Sequence, residues 1–340
     1  MKTVFIGLNW LGDIIMSFPT IIQASKHSEV HILTRKNLAK IYELLPFKAH
    51  IHTLNNKTDI FASLKTLKNI RKLKADLIII LPKSFRSALT GKLCGSKQET
   101  GYAAELRSWL LSNPIYLPEN FKSIHEANLH YNLLPERLKK NNLPDLTAPK
   151  FSESLIESCL SKLNLSKNSF FITLAPGAAF GAAKRWPPEK FAALASDILK
   201  NFDCKIVVTA SAGEADISRQ ISQINPERII DAAGKTDLNE LAIILSKTKA
   251  LIANDSGTMH MAALFNTPTI VPVGPTDMIR TGPLNRNSYF VTGNEKCSIA
   301  PCRKKACQFN HHMCMQSINT SQILKILDKV IADENIGIKN

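Results

Sequence analysis

Neither of the common phosphate-binding signatures occurs in this 340-residue chain: there is no G-x-G-x-x-G and no G-x-x-x-x-G-K-[ST]. The dinucleotide-binding and P-loop nucleotide-hydrolysing classes therefore lose their usual sequence support. No apolar run approaches the roughly 18 residues that a membrane span needs. The first apolar stretch, residues 3–11, is ended by Gly12-Asp13 and lacks a small-residue cleavage site, so it does not read as a signal peptide. The expectation is a cytoplasmic protein that meets a membrane, if at all, at its surface. No repeat recurs at a fixed period. Aromatic residues are 7% of the chain, and Phe85 and Tyr102 are too sparse among the cations to form a base-stacking surface, so nucleic acid is not expected as a partner. No DxD-type carboxylate pair stands at a strand end, which is consistent with metal independence, and no cofactor is expected.

What the chain does have is positive charge, unevenly spread. Its net charge is +15, of which residues 1–150 carry +11. That excess calls for an anionic partner: nucleic acid, an anionic membrane surface or a phosphorylated substrate. Hydrophobic residues make up 44%, enough for a core in each half.

The pattern alternates strand and helix. Residues 4–6, 30–35, 51–54 and 75–81 read as strands; 14–26, 37–45 and 61–74 read as helices. Residues 135–169 show no clear strand, and a linker is expected near 141–150. The pattern then restarts, with strands at 170–175, 205–210, 229–231, 250–253 and 269–273, and helices at 187–200, 214–224, 238–246, 257–265 and 321–333. The expected fold is α/β, with two Rossmann-like domains, 1–150 and 151–340.

Five segments hold candidate chemistry. Gly7-x4-Gly12-Asp13 joins a strand to a helix, where Asp13 is either a helix-start carboxylate or a general base. The Gly- and Ala-rich run from Pro176 to Pro187 ends in Lys184-Arg185, either a solvated basic loop or a clamp for a diphosphate. Trp186 in it reads better as packing than as a base-stacking platform. Asn254-Asp255-Ser256-Gly257-Thr258-Met259-His260 is either an ordinary N-cap or an anion site, and His260 on its own suits a core. Cys297, Cys302, Cys307 and Cys314, with His311 and His312, lack any C-x2-C spacing; they read as thiols before metal ligands. Lys65, Lys68, Arg71, Lys72 and Lys74 line a helix that faces either solvent or anionic lipid.

Taken together, Trp10-Leu11-Gly12-Asp13, Pro176-Gly177-Ala178 with Lys184-Arg185-Trp186-Pro187, Asn254 to His260, and Cys302 to Cys314 resemble glycosyltransferase family nine, the heptosyltransferases. The likeness extends over residues 1–320 or so and is nearest to the branch that adds the second inner-core heptose. It implies a GT-B fold, with the two domains facing across a central cleft, the N-terminal one binding acceptor and the C-terminal one the nucleotide sugar. It implies ADP-heptose as donor and a Kdo-lipid A-type acceptor, Hep-Kdo2-lipid A, at the inner-membrane surface. Asp13 would be the base beside Gly12 at the acceptor. Lys184, Asp255, Ser256, Gly257 and His260 would serve the donor, with a further donor contact near Glu214. The branch adding the first heptose has paired threonines where this chain has Ala179 and Phe180. Competing readings are a family member with another acceptor, a basic nucleic-acid-binding protein, and a nucleotide-sugar epimerase.

Overall fold

A computed structural model describes residues 1–54 and 60–337 of the chain. The chain divides into two compact units: Met1–Pro149 with Ile279–Gly282, and Lys150–Met278 with Pro283–Asn340.

The first unit carries a six-stranded sheet of β1 (Lys2–Ile6), β2 (Glu29–Arg35), β3 (His50–Leu54), β4 (Leu77–Ile80), β5 (Glu99–Tyr102) and β6 (Asn113–Ile115). Its spatial order is β3-β2-β1-β4-β5-β6, and every pairing is parallel. A parallel sheet is covered on both faces, so its central strands read as unbroken apolar runs. Leu77-Ile78-Ile79-Ile80 is such a run and is fully buried. Helix Ile60–Lys72 turns Leu67 and Ile70 into the core while Lys65, Lys68, Arg71 and Lys72 stay exposed. The side chain of Phe61, part of the same periodicity, lies outside the described residues.

The second unit repeats the plan with β7 (Phe171–Ala175), β8 (Lys205–Val208), β9 (Ile229–Asp231), β10 (Leu251–Ala253), β11 (Thr269–Val273) and β12 (Ser288–Thr292), ordered β12-β11-β10-β7-β8-β9. Here too every pairing is parallel. Its core joins Ile172, Leu174, Ile206 and Ile252 to Phe191, Leu194 and Ile198 of helix Pro188–Asn201 and to Ile323 and Leu327 of the last helix, Thr320–Gly337. Each such side chain contributes about 1.5–3 kcal/mol by leaving water.

Both sheets share one strand order, 3-2-1-4-5-6 counted within each unit. In that order the direction of winding reverses beside the first strand, and ligands bind outside the carboxyl ends of the strands at that switch. The switch falls between β1 and β4 in the first unit and between β7 and β10 in the second. Gly7 to Asp13 follows β1, Pro176 to Pro187 follows β7, and Asn254 to His260 follows β10, so three of the five candidate segments sit at the two switch points.

Three strands, β5, β6 and β12, and helices Phe85–Cys94, Glu126–Asn132 and Glu153–Ser161 were not expected from the sequence pattern. The segment 37–45 is a 3-10 helix, Lys36–Leu44, rather than an α-helix. No helix among the described residues is long and apolar enough to cross a membrane.

Candidate active site

In the second unit the loop after β7 is built around glycine and one carboxylate. Glu214 follows β8 in a 3-10 turn. Its Oε1 accepts from the Ala178 N–H at 3.0 Å and from Arg185 Nη2 at 3.1 Å, and its Oε2 from Ser211 Oγ at 2.7 Å. Gly177 lies directly under this carboxylate, and a Cβ there would collide with it. Glu214 thus braces the loop, and Arg185 completes the brace by donating to the Ala178 carbonyl.

Lys184 is aimed differently from Arg185. Its ammonium meets Asp255 Oδ2 at 2.5 Å, with the two side chains 17% and 7% exposed. It also lies 4.8 Å from the centre of the Phe180 ring, where the ring quadrupole favours a cation. Asn254, fully buried beside Asp255, ties the two loops together. Its Oδ1 accepts from the Trp186 N–H at 2.9 Å and its Nδ2 donates to the Pro176 carbonyl at 2.6 Å. Trp186 is fully buried, edge-on to Phe191, and donates its indole N–H to the Ile318 carbonyl. It is a packing residue.

Ser256 is the N-cap residue of helix Gly257–Ala263, but its hydroxyl does not cap it. Met259 and His260 of this helix are buried. The Ser256 Oγ is buried without a hydrogen-bond partner, and so are Arg185 Nε, Thr209 Oγ1 and Thr276 Oγ1. Arg185 follows β7, Thr209 β8, Ser256 β10 and Thr276 β11, four neighbouring strands. Each such orphaned group costs about 1–3 kcal/mol unless something polar meets it. All four lie on loops beyond the carboxyl ends of one parallel sheet, the end at which such sheets bind their ligands.

The cysteine-rich segment packs on the same loop. A Cβ at Gly181 would strike the Lys305 backbone; the Lys305 carbonyl accepts from the Ala183 N–H at 3.1 Å, and His312 Nε2 lies 2.8 Å from the Ala183 carbonyl. Cys297, Cys302, Cys307 and Cys314 are free thiols. Burial, with the other three thiols nearby, pushes the Cys314 thiol up to about 11, so it is held protonated and unreactive. Functionally, this segment is a backing for the Lys184 loop.

In the first unit, Gly7 is needed because the Tyr42 hydroxyl lies where a Cβ would be, and its N–H donates to the Leu33 carbonyl at 2.8 Å. The helix starts earlier than the sequence pattern suggested, at Leu11, so Gly12 and Asp13 both lie in its first turn. There a carboxylate is favoured by the unsatisfied N–H groups and helix dipole.

Sequence reasoning missed two organising residues of this unit. Arg107 is fully buried and donates to the carbonyls of Tyr102, Pro82 and Ser84 and to Ser87 Oγ. Burial draws its guanidinium down to about 10. Glu126 accepts from Lys83 at 3.1 Å and from Arg280 Nε at 3.0 Å and Nη2 at 2.5 Å. Burial works against its charge, but these two cations outweigh it and hold the carboxyl below its usual range. Arg280 comes from Ile279–Gly282, whose Gly282 carbonyl also lies 2.9 Å from His125 Nε2. No local motif announces either residue.

Known proteins point the same way. The model of "Glycosyltransferase family 9 (heptosyltransferase)" matches residues 63–313. Lipopolysaccharide heptosyltransferase 2 of Salmonella typhimurium is 26% identical over 358 residues, spanning 99% of this chain and 100% of the relative. Lipopolysaccharide heptosyltransferase 1 of Campylobacter coli is also 26% identical, over 360 residues and 98% of this chain, 100% of the relative. The solved ADP-heptose LPS heptosyltransferase II of E. coli superposes with a TM-score of 0.84 at 23% identity, covering 98% of this chain and 100% of that one, which establishes the fold as that of the GT-B heptosyltransferases. With its family model spanning most of the sequence and its folded plan that of a heptosyltransferase, the chain belongs to glycosyltransferase family 9.

Proposed function

We propose that the chain transfers L-glycero-D-manno-heptose from ADP-heptose to the first heptose of Hep-Kdo2-lipid A, with inversion and without a catalytic metal. The observation that carries this reading is the buried Lys184–Asp255 pair on the two loops at the switch point of the second sheet, with unpartnered polar groups on those loops and on the loops after the two flanking strands. A nucleoside diphosphate supplies the acceptor oxygens that Ser256, Thr209, Thr276 and Arg185 lack, and Lys184 supplies the positive charge.

The reaction then reads as one displacement. The acceptor hydroxyl attacks the anomeric carbon, Asp13 takes its proton, and the bond from that carbon to the β-phosphate oxygen breaks. ADP departs with the bonding pair. The negative charge that develops on it is met by Lys184 and the Ser256 hydroxyl, fixed before the reaction starts. Asp255 holds Lys184 in place, and Gly257 and His260, proposed with them to serve the donor, lie in the helix that Ser256 begins. Glu214 acts by shaping the loop under the diphosphate. Ala179 and Phe180, where the first-heptose branch has threonines, favour the second-heptose acceptor.

The test is transfer from ADP-heptose to purified Hep-Kdo2-lipid A with EDTA present. Steady turnover and a single added heptose are expected. Folded protein that binds ADP but transfers nothing would assign a different acceptor, and failure to bind ADP would overturn the donor.

The inner-membrane surface is the natural place to meet a lipid acceptor, and the first unit has a face suited to it. Helix Phe85–Cys94 leaves Phe85, Leu89 and Leu93 about 40% exposed, one ridge at a spacing of four. Trp109, 73% exposed, continues it with its ring 6.2 Å from Phe85. The exposed cations of helix Ile60–Lys72 lie alongside, with Arg71 against Gly95 at the ridge's end. Apolar side chains flanked by lysines are the chemistry of interfacial anchoring. Flotation with vesicles containing phosphatidylglycerol should carry the protein upward, less so as salt rises or with phosphatidylcholine alone. Leu89→Glu with Leu93→Glu should abolish flotation and leave ADP binding intact. Flotation unaffected by that double change would place the contact elsewhere.

A further inference from the structure

The edge of the first unit's sheet holds a group of ligand-type side chains that the transfer reaction does not use. Glu29 and His31 point to one face of β2, two residues apart. His50 and His52 do the same on β3, and the parallel register sets His31 opposite His50. Four coordinating side chains are thereby stacked on one face of two adjacent strands. Glu29 Oε1 lies 3.0 Å from His31 Nε2 and 3.4 Å from His50 Nε2. The three ligand atoms of Glu29, His31 and His50 lie within 4.8 Å of one another, a grouping that no other His, Cys, Asp or Glu residues make among the described residues.

We propose that Glu29, His31 and His50 bind a borderline transition-metal ion of the Zn2+ type. Two imidazoles and one carboxylate are a donor set that zinc takes, at about 2.0–2.2 Å, and water fills the remaining position. His31 is buried while Glu29 and His50 are 45% and 60% exposed on their side chains, so an ion can enter from solvent. His52 is the outer partner. Its Nε2 lies 3.0 Å from His31 Nδ1, the contact by which a ligating imidazole donates its second N–H and is fixed in orientation. Lys2 is the nearby opposing charge, and the Glu29 carboxylate offsets it.

The position separates this ion from catalysis. Glu29 and His31 lie at the amino-terminal half of β2, whereas Asp13 follows the carboxyl end of β1, whose last residue, Ile6, pairs with Leu33. The ion would clamp edge strand β3 to β2, and the inference holds whether or not the proposed transfer does.

Titration of the full-length protein with Zn2+, and with Co2+ as a spectroscopic probe, tests it. One equivalent should bind with the visible bands of nitrogen and oxygen ligands and raise the melting temperature. His50→Ala and Glu29→Gln, both at exposed positions, should remove that equivalent, and His52→Ala should weaken it about 10–100-fold. The proposal is overturned if no nitrogen–oxygen equivalent is seen, if all bound Co2+ shows thiolate charge-transfer bands, or if His50→Ala leaves binding unchanged.

Discussion

Asp13→Asn should lower kcat for heptose transfer by about 10²–10⁴, measured with saturating ADP-heptose and acceptor. The substitution keeps the size of the side chain and removes its ability to take a proton from the acceptor hydroxyl. The alternative, that Asp13 merely favours the start of helix Leu11–Ser25, makes a different forecast. A carboxylate in a first turn is worth about 0.3–1 kcal/mol, so its loss would lower the melting temperature by a few degrees at most and leave kcat nearly unchanged. A large drop in kcat with near-native stability identifies the base. Near-native kcat with a small loss of stability returns Asp13 to the helix.

Lys184→Ala should reduce kcat by about 10²–10³, the usual effect of removing one preorganised group from a developing negative charge. It should also destabilise the protein, because Asp255 is 6% exposed and would lose its ion-pair partner. An uncompensated buried charge costs about 3–5 kcal/mol, enough to mimic lost catalysis by unfolding. The double variant Lys184→Ala with Asp255→Asn separates the two. With the charge gone from both sides, the melting temperature should recover while kcat stays low. Recovery of both would make Lys184 a structural partner of Asp255 and leave the leaving group to Ser256 and its neighbours.

Legibility in the sequence followed the source of each feature's stability. β9 and β11 have the bounds that their apolar runs suggest, and the alternation of strand and helix was enough for two Rossmann-like domains. Strand β5, Glu-Thr-Gly-Tyr, was invisible because its polar residues are buried by pairing with β4, not by their own hydrophobicity. Strand β6 has three residues with Pro114 in the middle, tolerable only at an edge. Helix Glu153–Ser161 has a sound N-cap in Ser152, but it is short, and only Ile156, Cys159 and Leu160 of it reach the core. At the site, segments were legible and commitments were not. The glycines and the Lys184-Arg185 pair marked the loop after β7, yet nothing local said that Glu214 would brace it through the Ala178 N–H and Arg185, or that Lys184 would face Asp255 instead. The alternation in His50-Ile51-His52 is plain in the sequence. Its meaning depended on a register that sets it against Glu29 and His31.

The return of Ile279–Gly282 to the first unit bears on how the protein is made. At about 5–20 residues per second, a ribosome that has finished the first 149 residues needs roughly seven to twenty-six seconds more to deliver Arg280. Throughout that interval Glu126 has Lys83 but not its guanidinium partner, and His125 lacks the Gly282 carbonyl. The amino-terminal unit therefore leaves the ribosome unfinished, and its completion waits on nearly all of the second unit's strands having been synthesised.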